Sequence, residues 1–160
     1  MSLEPIRFEQ GRPLLLAGLR RRHAFAGAAE GIAAQWREFR GMDPVPHRRG
    51  DVAYGVLCGG DPVAQVLEYM CAVEVSEFDP AHVGRMRVPP QHYAVFAHAG
   101  PAKALQATWQ AIWDAWLPRS GYRMAKGPEV EVDDARFDPA AGTGVVEVWT
   151  SILPADGAAA

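Results

Sequence analysis

The sequence predicts an α+β fold: a largely antiparallel sheet carrying two main helices, built as two halves that each run strand–helix–strand–strand. Three observations predict it. Short apolar runs of strand length recur along the chain. Two longer segments place their large apolar residues at helical spacing. The same order of elements occurs twice, with little residue identity between the halves.

The first expected strand is Leu14-Leu15-Leu16-Ala17-Gly18-Leu19. Phe25, Ala28, Ala29, Ile32, Trp36 and Phe39 then form one helical stripe, and Gly41, Pro44 and Pro46 end that helix. Residues 51–58 and 66–75 read as strands joined by the turn-rich Gly59-Gly60-Asp61-Pro62. In the second half, residues 88–98 read as a strand. Gly100-Pro101 opens a helix, because proline in the first turn has no useful N–H to lose. Its stripe is Leu105, Trp109, Ile112, Trp113 and Trp116, and Pro118 stops it. Residues 129–136 and 145–152 are the last two strands, separated by Asp138-Pro139-Ala140-Ala141-Gly142. Residues 1–153 read as a single domain, with 154–160 a flexible tail.

Composition narrows the function classes. With 160 residues, 49% hydrophobic and 22% charged, the chain is an ordinary globular domain. A net charge of −3 lacks the basic face that nucleic acid requires, so no direct DNA binding is expected. The basic runs Arg20-Arg21-Arg22-His23 and His47-Arg48-Arg49 read as solvated loops at element ends. Cys58 and Cys71 lie in apolar strand-like runs and read as small hydrophobes rather than a disulfide framework. There is no signal-peptide pattern and no apolar run near the ~20 residues of a membrane span, so a cytoplasmic location is the default.

The most informative single residue is Glu147, within Val145-Val146-Glu147-Val148-Trp149-Thr150-Ser151-Ile152. Alternation puts Val146, Val148, Thr150 and Ile152 on one face, read as core, and Val145, Glu147, Trp149 and Ser151 on the other. A carboxylate beside a large aromatic is costly to bury without a partner. Glu147 therefore points to a cationic or hydrogen-bond-donating ligand, with Trp149 as an aromatic wall. The alternative is a strand glutamate paired with an arginine or facing water. Trp113 and Trp116, three residues apart, cannot both point the same way. For these two and for Trp36, core packing competes with ligand contact. Tyr69 shares a strand face with Leu67, Cys71 and Val73, and its hydroxyl needs a partner if buried. Tyr54 is a candidate of the same kind. Glu129, Glu131 and Asp133 alternate with valines as on a half-exposed strand, so a solvated face is expected, although Glu131 neighbours a cleft if the register allows. His92 and His98 have no third ligand at metal spacing, so no metal or other cofactor is expected. No serine sits in a nucleophile-elbow context and no Gly-rich loop cradles phosphate.

The segment Gln91-His92-Tyr93-Ala94-Val95-Phe96-Ala97-His98-Ala99-Gly100-Pro101 resembles the signature of the GyrI-like small-molecule-binding domains. These are also the effector-binding domains of many AraC-type and MerR-type regulators. The resemblance continues through Ile112-Trp113-Asp114-Ala115-Trp116-Leu117-Pro118, Ser120-Gly121-Tyr122, Arg136-Phe137-Asp138-Pro139 and Val146-Glu147-Val148-Trp149. In the first half it covers Leu67 to Val75, ending in Val73-Glu74-Val75. It implies two βαββ halves around a central cleft that binds amphipathic, aromatic and cationic compounds. It also implies that the family's buried carboxylate corresponds to Glu147 and its strand tyrosine to Tyr69. Cys71-Ala72, Ser151 and Leu67 depart from the usual residues and bear on the pocket's shape. The first expected strand follows the start of the sequence by only a few residues, so no helix-turn-helix is expected in it.

The favoured functional expectation is a stand-alone binding protein that sequesters or senses such compounds, as in multidrug binding and transcription regulation. Its partners would be a small hydrophobic or cationic aromatic ligand and a separate regulator protein. One alternative, implied by resemblance, is hydrolysis of strained cyclopropane-type toxins with Glu147 as general base and Tyr69 assisting. Another is a protein-interaction inhibitor of the DNA gyrase type.

Overall fold

The computed structural model describes residues 3–81 and 84–155. Its strands are β1 (Arg7–Gln10), β2 (Leu14–Ala24), β3 (Arg48–Asp61), β4 (Val66–Val75), β5 (Gly84–Val88), β6 (His92–Pro101), β7 (Tyr122–Met124), β8 (Glu129–Asp133), β9 (Phe137–Asp138) and β10 (Thr143–Pro154). The helices are α1 (Ala28–Arg40) and α2 (Leu105–Ala111). One antiparallel sheet runs β1-β6-β10-β8-β3-β4-β2-β5, with β7 and β9 also on β10. The expected α+β class and its two βαββ halves are what the structure has: β2–α1–β3–β4 and β6–α2–β8–β10. The halves meet where β3 pairs with β8. Each half also lends a leading strand to the other: β1 precedes β2 but pairs with β6, and β5 precedes β6 but pairs with β2.

That exchange curls the sheet. β1 and β5 are its two edges, yet only four residue steps separate Gln10 from Leu14, a reach of about 14 Å at most. The same holds from Val88 to His92, and the two connections touch, Gly11 N donating to Gln91 O at 2.7 Å. The sheet rolls away from its helices and buries a core on the helix-free face: Leu16, Val56, Met70, Ala72 and Val88. The helix-bearing face buries Ala94, Phe96, Trp109, Ile112, Trp116, Val148 and Ile152. Central strands are thus covered on both sides, which decides where their polar side chains end up.

Gln35, buried in the middle of α1, ties that helix down. Its amide donates to Leu19 O at 2.8 Å and Tyr69 O at 3.0 Å, and its oxygen meets His23 Nε2 at 2.7 Å. Beyond α2 the chain widens into a π-helical stretch over Ile112–Trp116 and closes with the turn Leu117–Arg119. Pro118 lacks the N–H that would close on Asp114, and the wider turn accommodates that loss.

Local boundaries differ from expectation for physical reasons. β2 runs to Ala24, so Arg20, Arg21, Arg22 and His23 lie on a strand and not a loop. Arg20 pairs with Glu68, and Arg21 with Glu38 at 2.8 Å. Arg48 and Arg49 likewise open β3. Pro89-Pro90 cuts Val88 from the expected strand, since neither residue can donate to a ladder; Val88 ends β5, a strand not expected, and β6 starts at His92. β8 stops at Asp133, because Asp134 Oδ1 accepts from Arg136 N at 2.9 Å and turns the chain. β10 reaches Pro154, and the rest of the expected tail, residues 156–160, lies outside the described residues. Among the described residues no helix is long and apolar enough to cross a membrane.

Candidate functional site

A cleft of 1140 Å³ lies between α1 and α2, floored by β3, β4, β8 and β10. Register sets its floor. Glu131 on β8 stands opposite Gly55 on β3 and Val148 on β10, so Glu129, Glu131 and Asp133 all turn toward the helices. The expected solvated face is therefore overturned. Glu129 and Glu131 are only 4% and 6% exposed, because β8 sits mid-sheet beneath the cleft.

Glu131 is the hub. Tyr69 Oη donates to its Oε1 at 2.7 Å and Trp109 Nε1 donates to its Oε2 at 2.8 Å. Trp36 Nε1 in turn donates to Tyr69 Oη at 3.1 Å. One carboxylate thus links α1, β4, β8 and α2. Burial raises its pKa above the ordinary carboxylate range, and the hydrogen bonds from Tyr69 and Trp109 offset part of that. Burial also lifts the Tyr69 phenol well above its ordinary value. Gly55 makes room for the Tyr69–Glu131 pair.

Two further carboxyls share the floor. Burial pushes Glu129 up to about 7. Its Oε1 accepts from Ser151 N at 3.2 Å and Ser151 Oγ at 2.9 Å. Its Oε2 is buried without a hydrogen bond of good geometry, although the Thr150 hydroxyl neighbours it. Asp133 is also raised to about 7, by burial first and then by the Glu131 charge, with Arg40 opposing. The walls are aromatic: Trp36 on α1, and Trp109 stacked on Trp113 with centroids 5.3 Å apart on α2.

Of the residues singled out from sequence, Tyr69, Trp36 and Trp113 line this cleft. The others do not. Glu147 projects from the opposite face of the sheet, where the arginine-paired alternative holds. Arg7 donates to both its oxygens at 2.8 and 3.0 Å, Arg136 adds 3.0 Å and Trp149 Nε1 adds 3.0 Å. These donors, Arg7 foremost, hold the Glu147 carboxyl down at about 2. Trp149 packs edge-on to Tyr93 beneath the Arg7 guanidinium. Trp116 is in the core against Phe96, and Tyr54 joins the cluster on the helix-free face. Glu147 and Tyr69 lie on opposite faces and do not form a pair; Tyr69 pairs with Glu131. The alternation along β10 predicts which side chains share a face, but the cleft opens on the Val146 side. Glu129, Asp133 and Trp109 are cleft residues that the sequence pattern assigns to a solvated face or to the core, and Glu131 reaches the cleft because the register allows it. Their signal was three acidic residues on a strand flanked by valines.

The chemistry on offer is a deep aromatic slot with buried negative potential at its floor. The model of the GyrI-like small molecule binding domain matches residues 4–153. The transcriptional regulator BrlR of Pseudomonas aeruginosa is 33% identical over 119 residues, 71% of this chain and 43% of that protein, so the chain spans less than half of that relative. A putative transcription regulation protein from Staphylococcus aureus MU50 shares the fold, with TM-score 0.69 and 20% identity over 94% of this chain and 99% of that one. So does SAV2435, solved with tetraphenylphosphonium bound, with TM-score 0.59 and 17% identity over 96% and 94% of the two chains. The chain belongs to the GyrI-like small-molecule-binding domain family.

Proposed function

We propose that the cleft binds bulky, delocalised aromatic cations, with Glu131 supplying the negative potential and Trp36, Trp109 and Trp113 the stacking walls. The observation that carries this reading is the Tyr69–Glu131–Trp109 arrangement. A carboxylate whose oxygens already accept from the protein's own donors attracts a cation through space, and a phosphonium or quaternary nitrogen has no hydrogen to donate. Ring faces add about 0.5–2 kcal/mol per contact, more where water is excluded. Stacking tolerates chemical detail, which fits a broad selectivity. The tetraphenylphosphonium bound to SAV2435 and the likeness to BrlR support a sensing role, in which regulatory machinery reads the bound state.

Tryptophan-fluorescence quenching by tetraphenylphosphonium tests the assignment. Glu131→Gln should weaken binding about tenfold or more. Glu147→Gln should lower the urea midpoint and leave quenching as in the wild type. The reverse pattern, affinity lost with Glu147→Gln and kept with Glu131→Gln, would overturn it.

A further inference from the structure

We infer that the cleft also takes elongated aromatic dications, their hydrogen-bond-donating ends held by Glu129 and Asp133 on either side of Glu131. This rests on the cation-binding reading above and narrows its ligand class. A strand rises about 3.3 Å per residue, so the three acids recur about every 7 Å and the outer two stand about 13 Å apart. They differ in what each leaves free. Glu131 has both oxygens engaged by Tyr69 and Trp109. Glu129 keeps Oε2 buried with no hydrogen bond of good geometry among the described residues, the Thr150 hydroxyl being its one neighbouring donor. Asp133 makes no side-chain hydrogen bond among them, and Arg40 is the opposite charge acting on it. An amidinium or ammonium end supplies the donors that these oxygens lack, which a phosphonium cannot. Trp113 Nε1 is likewise buried and unpartnered in the same cavity, a donor suited to an ether oxygen in the ligand's linker.

Space and electrostatics fit the same ligand. A second cavity of 490 Å³ shares Trp36, Arg40, Asp133, Phe137 and Pro139 with the cleft, so the slot continues past Asp133. Arg37 and Arg40 of α1 and Lys103 ahead of α2 are the basic residues lining the main cleft, and Arg40 faces Asp133. The Glu129 end is therefore the stronger pole. Burial keeps Glu129 and Asp133 near half-protonation at neutral pH, so a single charge leaves one of them neutral. A dication recruits both as anions and drives off more protons.

Isothermal titration of the full chain tests this, run near about pH 6.5 in buffers of differing ionisation enthalpy. The probes are a linear bis-benzamidinium diether with charges about 13 Å apart, its analogue with one amidinium replaced by a neutral carboxamide, and tetraphenylphosphonium. The dication should bind about tenfold or more tighter than the carboxamide analogue, and release more protons. Glu129→Gln should shrink that gap, and Asp133→Asn should shrink it less. Equal affinity and equal proton release for the two amidines, with tetraphenylphosphonium still binding, would overturn the dication proposal alone. A gap that survives both substitutions would do the same. No binding by any probe would remove the cation-binding reading itself.

Discussion

A side chain at position 55 would collide with the hub of the cleft. A Cβ there would come within 2.0 Å of Tyr69 Oη and 2.6 Å of Glu131 Oε1, distances no structure sustains. Gly55→Ala should therefore displace the tyrosine from the carboxylate. The expected cost is about 1–3 kcal/mol of stability, read from urea denaturation, together with weaker quenching by tetraphenylphosphonium. A variant with wild-type midpoint and wild-type quenching would show that the Tyr69–Glu131 contact is dispensable. Nothing local in the sequence marks this glycine, because its constraint comes from residues on two other strands. Glu131 is only conditionally legible, for a related reason. Acid alternating with valine is the pattern of a strand with one wet face, and only pairing with β3 and β10 makes that face a cleft floor. Glu147 is the converse. Its parity on β10 was readable, but its arginine partners come from distant or turn positions, Arg7 and Arg136.

At the scale of elements, both main helices and the long strands were readable, because stripes and alternation are local signals. The short strands β1, β7 and β9, of four, three and two residues, carry too little pattern to stand out. Helix α1 deserves a test of its own. It forms one wall of the cleft, and Gln35 is its polar anchor to β2 and β4. Gln35→Ala removes donors to two strand carbonyls and the contact with His23, at about 1–3 kcal/mol. Amide hydrogen exchange should accelerate over residues 28–40 while residues 105–119 keep their protection. Uniform acceleration of both helices would mean that α1 does not open independently. The π-helical stretch after α2 has a local consequence too: Trp113 reaches the cleft while Trp116 packs on Phe96 in the core. The spacing predicts that these two diverge and does not say which one faces the cleft.

For the molecule as a whole, the buried carboxyls set an unusual pH dependence. Glu129 and Asp133 hold their protons to about 7 in the fold, whereas an unfolded chain gives them up near about 4. Between those values the folded state binds more protons, so stability from these groups falls as pH rises toward 7. Glu147 works in the opposite sense. Its carboxyl titrates at about 2 when folded, so its contribution is present above its ordinary value and is lost as pH falls toward 2. Glu74, held low by Arg12, adds to that acid-side loss. The urea midpoint should therefore peak at mildly acid pH, near about 4–5. The double variant Glu129→Gln with Asp133→Asn should flatten the decline on the neutral side. A midpoint that rises steadily from pH about 5 to 7 in the wild type would contradict the assigned burial.

The exchange of leading strands also limits how such a protein can adapt to its ligands. Three seams of backbone hydrogen bonds join the halves, at β1–β6, β3–β8 and β2–β5. They are stitched together rather than hinged, and prising them apart would break all three seams at once. Both helices are moored to the same point of the floor, α2 directly on Glu131 through Trp109 and α1 by way of Tyr69 through Trp36.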